Sequence, residues 1–333
     1  MKKQKPAAVD ISAFDSCNIL VVGDLMIDEY IWGDVNRISP EAPVPIVLVK
    51  SESYTLGGSG NVINNIVSLG GTVLAAGVIG TGRNGKRLLN RFAQLGVATD
   101  GIIQDSERPT TRKTRVIATN QHVLRIDRES RTEISNKTHN RLCNFLNKTI
   151  PKADLVLISD YGKGLVSNSL LSYTIQTATS HGKMTIADPK GFNFSKYAGV
   201  SLLTPNKKET GIAAGLEIVD EAALREAGNK ILDSVDIGRL LITLGKDGMI
   251  LFERGKKPLK IQAEARQVYD VSGAGDTVLA VLGLGLAAGA SLEEAMRLAN
   301  TAAGIVVGKV GTATVSKEEL MNAVKMRQKR RSD

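Results

Sequence analysis

The chain has 333 residues, 42% hydrophobic and 23% charged, enough apolar content for one large α/β domain or two smaller ones. Aromatic residues are only 4%, too few for a platform that stacks single-stranded nucleic acid. The formal charge of +9 gathers at the ends, with three lysines in residues 1–5 and Lys325, Arg327, Lys329, Arg330 and Arg331 near the other terminus, so no nucleic-acid partner is expected.

These ends read as solvated tails, residues 1–16 and the basic stretch 328–333, around a folded body over 17–327. No apolar run reaches membrane-spanning length, and the lysine-rich N-terminus lacks the apolar core of a secretory leader. Cys17 and Cys143 form neither a disulfide framework nor a metal-ligand spacing. A cytoplasmic protein with no membrane partner is expected.

In chain order, Asn18-Ile-Leu-Val-Val-Gly23 reads as a buried strand, Gly60 to Leu69 as a helix, Thr72 to Ile79 as a strand and Lys86 to Leu95 as a helix. Asp154 to Ser159 is a strand, Ser167 to His181 a helix, Lys183 to Ala187 a strand and Val200 to Leu203 a short strand. Helices follow near Lys208–Ala214 and Asp220–Ser234. Leu240 to Thr243 and Met249 to Phe252 are strands, the second a hairpin partner of the first, and Ser272–Ala288, Ser291–Gly308 and Ser316–Arg327 are helical. This alternation predicts a doubly wound, mainly parallel sheet with helices on both faces, whose ligands bind beyond the carboxyl ends of the strands. Residues 28–50 and 112–127 break it: they are strand-like with no helix between, with a hairpin turn at Asn120-Gln121. They predict a small β-sheet lid that excludes water from a site beneath it, the plain alternative being an edge hairpin. Apolar lid strands could also pair with a second copy, which predicts a homodimer.

Gly80-Thr-Gly-Arg-Asn-Gly85 fits the dinucleotide-binding pattern, follows a strand and opens a helix, with Asp105 twenty residues on. A dehydrogenase is therefore a competing reading. Against it, the motif follows a later strand than the first, and Asp105 reads as part of a polar loop, Gln104-Asp-Ser-Glu-Arg-Pro109.

The most informative stretch is Val268-Tyr-Asp-Val-Ser-Gly-Ala-Gly-Asp-Thr277. Gly273, Ala274 and Gly275 read as a tight turn opening a buried helix, whose first amides favour an anion such as a transferring phosphate. Asp276 is then a carboxylate beside an anion hole, suited to a general base for a hydroxyl that attacks phosphorus; a helix-cap carboxylate is the plain alternative. Gly57-Gly-Ser-Gly-Asn61 precedes a helix and could hold a polyol, or be a flexible loop with a cap. Asp24 and Asp28 follow the first strand, and Asp28 could accept two sugar hydroxyls. Asn206 and Glu209 in Thr204-Pro-Asn-Lys-Lys-Glu209 share one helix face, a set suited to Mg²⁺ directly or through water; taken alone, a capping box is the better reading.

Together with Thr243-Leu-Gly-Lys-Asp-Gly248, these motifs resemble the ribokinase or PfkB family of sugar kinases over roughly residues 17–325. Arg37-Ile-Ser-Pro-Glu-Ala-Pro-Val-Pro45, Ser159-Asp-Tyr-Gly-Lys-Gly164, Asp188-Pro-Lys-Gly191, Leu203-Thr-Pro-Asn206 and Gly304 to Val315 are similar to those family members that phosphorylate D-glycero-β-D-manno-heptose 7-phosphate at O1. The resemblance implies ATP, Mg²⁺ and in some members K⁺. It implies Asp276 as the base, Gly273, Ala274 and Gly275 around the γ-phosphate, and Asn206, Lys207, Lys208 and Glu209 with Mg²⁺ and the phosphates. It further implies Thr243, Gly245, Gly248 and Asn300 along the nucleotide, Asp28, Gly57, Gly58 and Asn61 on the sugar, and Asp270 at a monovalent cation.

A phosphorylated substrate also needs cations; Lys163, Lys190, Arg115 and Arg125 are the candidates by sign and position, with solvated or ion-paired groups as the alternative. Ser59 and Gly60 stand where heptose kinases usually carry alanines, and Gly82 where many family members carry Asp. A kinase of another sugar or nucleoside and a nucleotide-binding regulatory module are the remaining alternatives. A His-x-Gly-His nucleotidyltransferase signature, carried by many relatives of the heptose kinases, does not occur: His122, His139 and His181 are isolated.

Overall fold

The computed structural model describes residues 10–118, 121–264 and 268–332, with side chains to 327. In chain order the elements are β1 (Asn18–Gly23), β2 (Leu25–Ile38), β3 (Pro45–Gly58), α1 (Ser59–Ser68), β4 (Thr72–Gly80), α2 (Arg83–Gln94), β5 (Ala98–Asp105), β6 (Thr111–Ala118), β7 (Gln121–Arg128) and α3 (Asn136–Thr149). There follow β8 (Leu155–Ser159), α4 (Asn168–Ser180), β9 (Met184–Asp188), β10 (Leu202–Leu203), α5 (Lys207–Ala214), α6 (Glu221–Ser234), β11 (Arg239–Thr243), β12 (Met249–Glu253), β13 (Leu259–Ile261), α7 (Ala274–Ala287), α8 (Leu292–Val306) and α9 (Lys317–Ser332).

The main sheet runs β13-β12-β11-β10-β9-β8-β1-β4-β5, parallel from β5 to β11 and antiparallel from β11 to β13. Its central strands alternate between two cores. Ile19 and Val21 of β1, with Leu155 and Leu157 of β8, pack on one side with α1, α2, α7 and α8. Leu20, Val22, Val156 and Ile158 face the other side, with α3, α4 and α6. A two-residue period buried on both faces is why these strands read as continuous apolar runs.

The second sheet, ordered β3-β2-β6-β7, is the lid, and it is longer than the sequence suggests. β2 pairs with β3 from Leu25↔Gly58 out to Ile38↔Pro45, so the lid strands run directly into β1 and α1. The turn expected at Asn120-Gln121 lies in part outside the described residues.

Three expectations need correction. Residues 10–16, assigned to the N-terminal tail, form a 3-10 turn capped by Asp10, with Ile11 and Phe14 buried in the core. The stretch 328–333, assigned to a basic tail, continues α9 to Ser332. Asp105 closes β5 instead of lying in a loop. Its carboxylate accepts from the Glu107 amide at 2.9 Å and from Thr138 Oγ1 at 3.2 Å, so it is committed to the fold and not free for a ribose.

Candidate active site

The expected site residues converge at the carboxyl ends of the parallel strands. β1 leads into β2 with Asp28, β8 into the Asp160–Gly164 loop, β9 into Asp188 and Lys190, and β10 into Asn206 and α5. The start of α7 faces them. Gly273 is its N-cap, left-handed at φ 79°, and a Cβ there would stand 2.6 Å from Asn61 Nδ2. Conformation and close approach both require glycine at this position.

Asp276 sits in the first turn of α7 and is only 5% exposed. Asn61 Nδ2 donates to its Oδ2 at 2.8 Å, and Tyr161 Oη donates to its Oδ1 at 2.5 Å. Burial pushes its carboxyl up to about 6, against the lowering effect of those two hydrogen bonds. Burial likewise holds the Tyr161 hydroxyl well above its ordinary range, with the Asp276 charge acting in the same direction, so Tyr161 stays a donor. Asn61 is itself fixed by Asn65, whose Nδ2 donates to the Asn61 carbonyl at 2.9 Å, and Thr277 Oγ1 donates to Asn65 Oδ1 at 3.1 Å. This buried chain ties α1 to α7 and locks the carboxylate. Asn61, expected on the sugar, is thus turned toward Asp276 and Asn65.

Asp28 is 4% exposed; its Oδ1 accepts from Arg115 Nη1 at 2.7 Å. Its Oδ2 lies 2.5 Å from where a Gly57 Cβ would be, so the glycine makes room for the carboxylate. Asp24 does not face the site: it accepts from the Tyr161 and Lys163 amides, at 2.8 and 3.1 Å, and so shapes the loop that carries Tyr161.

The four expected phosphate anchors all have carboxylate partners. Arg115 pairs with Asp28 at 2.7 Å, Lys163 with Glu129 at 2.6 Å, Lys190 with Glu209 at 2.7 Å, and Arg125 with Asp127 at 2.8 Å. The sequence reading missed Lys113. It stands beside Asp28 in the β2–β6 register, lies over the Tyr161 ring at 5.5 Å and makes no ion pair among the described residues. Burial lowers its ammonium pKa, offset in part by Asp28. Alternation along β6, which puts Lys113 on the same face as Arg115, was the available signal.

Asn206 and Glu209 close a capping box: Asn206 Oδ1 accepts from the Glu209 amide at 2.9 Å, and Glu209 Oε2 from the Asn206 amide at 3.1 Å. Lys207 and Lys208 are exposed in the first turn of α5. Asp188, a second residue the sequence reading left without a role, is half-buried near Glu209 and Asp276. Burial first, and then those two charges, raise its carboxyl well above the usual range. Among the described residues no three His, Cys, Asp or Glu side chains are arranged to hold a metal by themselves. This excess of negative charge suits a divalent cation that arrives with phosphates and keeps most of its waters.

Thr243, Gly245, Gly248 and Asn300, expected along a nucleotide, line one cavity of about 190 Å³. Ala274 and Gly275 close its end toward Asp276, and Met249, Val271, Val278 and Val307 give it apolar walls. Lys246, not singled out from the sequence, stands at its edge. Asn300 Nδ2 donates to the Gln262 carbonyl at 2.8 Å. The Ala274 amide donates to the Val271 carbonyl at 3.3 Å, which leaves the first-turn amide of Gly275 as the better-placed donor for an anion. Asp270 is held low: burial opposes this, but the Ser272 and Gly311 amides, at 2.8 and 3.0 Å, outweigh it.

A sheet-and-lid fold of this kind, with a locked carboxylate in the first turn of a glycine-capped helix and a cavity lined by Thr243, Gly245, Gly248 and Asn300 beside it, suits a small-molecule phosphotransferase. Residues 17–319 match the pfkB family carbohydrate kinases, and the chain belongs to that family. It is 54% identical to the protein named Bifunctional protein HldE of Desulfatibacillum aliphaticivorans, over 96% of this chain. It is 47% identical to that of Geobacter sulfurreducens over 92%. The chain spans 65% and 63% of those two relatives' lengths. Among solved structures it is similar to ribokinase of Arabidopsis thaliana complexed with ribose and ATP, with a TM-score of 0.75 and 21% identity over 93% of this chain and 99% of that one. It is also similar to phosphofructokinase-2 of Escherichia coli in complex with potassium, with a TM-score of 0.76 and 20% identity over 93% and 98%. The ribokinase-like fold is thereby shown, and the dinucleotide-binding dehydrogenase reading falls. No helix among the described residues is long and apolar enough to cross a membrane.

Proposed function

We propose that the chain transfers the γ-phosphoryl group of ATP to O1 of D-glycero-β-D-manno-heptose 7-phosphate, giving the 1,7-bisphosphate used for ADP-heptose and lipopolysaccharide core synthesis. The observation that carries the chemistry is Asp276, a buried carboxyl raised to about 6 and held at both oxygens, at the mouth of a glycine-capped helix. A base with a pKa just below neutral is ionised at working pH and still takes a proton well. The sugar assignment rests on the runs Arg37–Pro45, Ser159–Gly164 and Asp188–Gly191 and on the relatives' high identity.

In this mechanism ATP occupies the slot along Thr243, Gly245, Gly248 and Asn300, with its γ-phosphate toward the Gly275 amide. Asp28, Gly57 and Gly58 hold the sugar under the lid. Asp276 takes the O1 proton as that oxygen attacks phosphorus in line; the new O–P bond forms as the bond to the β-phosphate oxygen breaks, and ADP leaves. Tyr161 and Asn61 keep the carboxylate aimed. A divalent cation, when bound with ATP, offsets phosphate charge, and Asn206 and Glu209 would hold it through water. Lys113 is the cation for the substrate's own phosphate or for charge developing near Asp276. Asp270 would hold a monovalent cation, whose charge would add to the field around the phosphates.

We also propose a homodimer through the lid. Leu48, Val49 and Leu124 expose 63%, 49% and 47% of their surface on this sheet, an unusual apolar load for solvent-facing strands. A coupled ADP-release screen over sugars and sugar phosphates tests the function. Heptose 7-phosphate should give the highest kcat/KM; preference for a different sugar would replace the substrate assignment while leaving the kinase chemistry in place.

A further inference from the structure

A second cavity, of about 490 Å³, lies between the lid and the start of α2, and it shares no lining residue with the cavity beside Asp276. Arg83, Arg87, Arg112 and Arg128 line it, with Glu29 and Glu52. Glu29 is heavily committed: Thr114 Oγ1 donates to it at 2.6 Å, Arg112 lies at 3.2 Å and Arg87 at 3.7 Å. Arg83 and Arg128 make no ion pair among the described residues. Arg112 Nε is buried with no hydrogen-bond partner, a costly state for a charged donor. Gly82 caps α2 without a side-chain bond and also lines the cavity, so the positive end of the helix adds to the field.

The register separates this cavity from the sugar pocket. Asp28 stands beside Lys113 and Glu29 beside Thr114 in the β2–β6 pairing. Successive strand residues point to opposite faces, so the arginine cavity opens on the lid face away from Asp28 and Lys113. A substrate lying against Asp276 would have to pass around the sheet to reach it.

We propose that this cavity binds a phosphate dianion, as inorganic phosphate or as part of a small phosphorylated metabolite, at a site distinct from the catalytic one. Four guanidinium groups against two carboxylates leave a surplus of two positive charges, which matches that ligand, and guanidinium geometry favours phosphate. The cavity is large enough for a sugar- or nucleotide-sized molecule. Because its walls come from both α2 and the lid strands, occupancy ties the lid to the main domain.

Titration calorimetry on the full chain with inorganic phosphate tests this, with a non-hydrolysable ATP analogue present to fill the kinase phosphate site. Arg83→Gln/Arg128→Gln is the control, since both side chains are exposed and make no ion pair among the described residues. Phosphate should bind the wild type, and the double variant should bind it about tenfold more weakly or worse, with an unchanged KM for the sugar substrate. Absence of binding to the wild type, or equal affinity in the two proteins, overturns the proposal. A KM for the sugar phosphate that rises about tenfold in the variant at constant KM for ATP also overturns it, because the arginines then hold the substrate's own phosphate.

Discussion

Tyr161 and Asp276, 115 residues apart in sequence, meet in a hydrogen bond of 2.5 Å that the fold builds from the loop after β8 and the first turn of α7. The phenol cannot act as an acid here, because burial and the Asp276 charge push its pKa far up. Its work is to aim the carboxylate and hold its pKa below what burial alone would impose. Replacing Tyr161 with Phe should therefore raise the Asp276 pKa above its value of about 6. Since the base must be ionised, kcat/KM in the wild type should fall as pH drops through about 6, and in Tyr161→Phe that acid limb should move to higher pH. A pH–rate profile checks it; an unmoved limb contradicts the assignment of Tyr161 as a positioning residue.

Asp276→Asn should lower kcat by roughly 10²–10⁴-fold, the usual worth of a positioned base, with ATP affinity largely kept. Single-turnover kinetics and nucleotide binding on the same preparation separate the two effects.

The raised pKa also has a stability signature. A carboxyl whose folded pKa lies above its ordinary value of 3.8 binds protons more tightly when folded, so its contribution favours folding at low pH and is lost as pH rises toward about 6. Asp276→Asn removes that dependence. The stability of the variant relative to wild type should increase between about pH 4 and 6, by on the order of 3 kcal/mol at most, and level off above. Urea unfolding across that window reads it, and a difference that is flat with pH would show that Asp276 titrates normally.

Lys113, on a lid strand, makes no ion pair among the described residues, unlike Arg115, Lys163, Lys190 and Arg125. Lys113→Met should raise the KM for the sugar phosphate by roughly 10–100-fold, as expected for a lost charged hydrogen bond, with the KM for ATP unchanged. An equal rise with free and phosphorylated sugar would assign Lys113 to the reacting end instead of the substrate's phosphate.

The parallel sheet was legible because strands buried on both faces, such as Asn18–Gly23 and Leu155–Ser159, are unbroken apolar runs between glycines and helix caps. That Thr243, Gly245 and Gly248 come together was legible for a related reason: they sit at a strand end, where glycine and hydroxyl residues stand out, and they line one cavity. Other elements left weaker marks. α3 buries mainly Leu142 and Leu146 along a polar surface, too thin a stripe to announce a helix. β5 ends in Asp105, whose bond to Thr138 is tertiary and invisible to local pattern. Partner choice was the largest gap. Sign and position suggested Arg115 and Lys163 as phosphate anchors, but whether a cation is free depends on carboxylates such as Asp28 and Glu129 that only the folded chain brings near.

On the proposed function, Asp276 takes the proton from the anomeric hydroxyl of heptose 7-phosphate as that oxygen attacks the γ-phosphate of ATP. The most direct measurement is phosphorus NMR of the product formed from ATP and D-glycero-β-D-manno-heptose 7-phosphate, run in parallel with Asp276→Asn. A new phosphate resonance coupled to the anomeric proton should appear with one ADP per sugar, and should be slowed by orders of magnitude in the variant. A phosphate on any other hydroxyl, or a variant that turns over at the wild-type rate, would contradict the account.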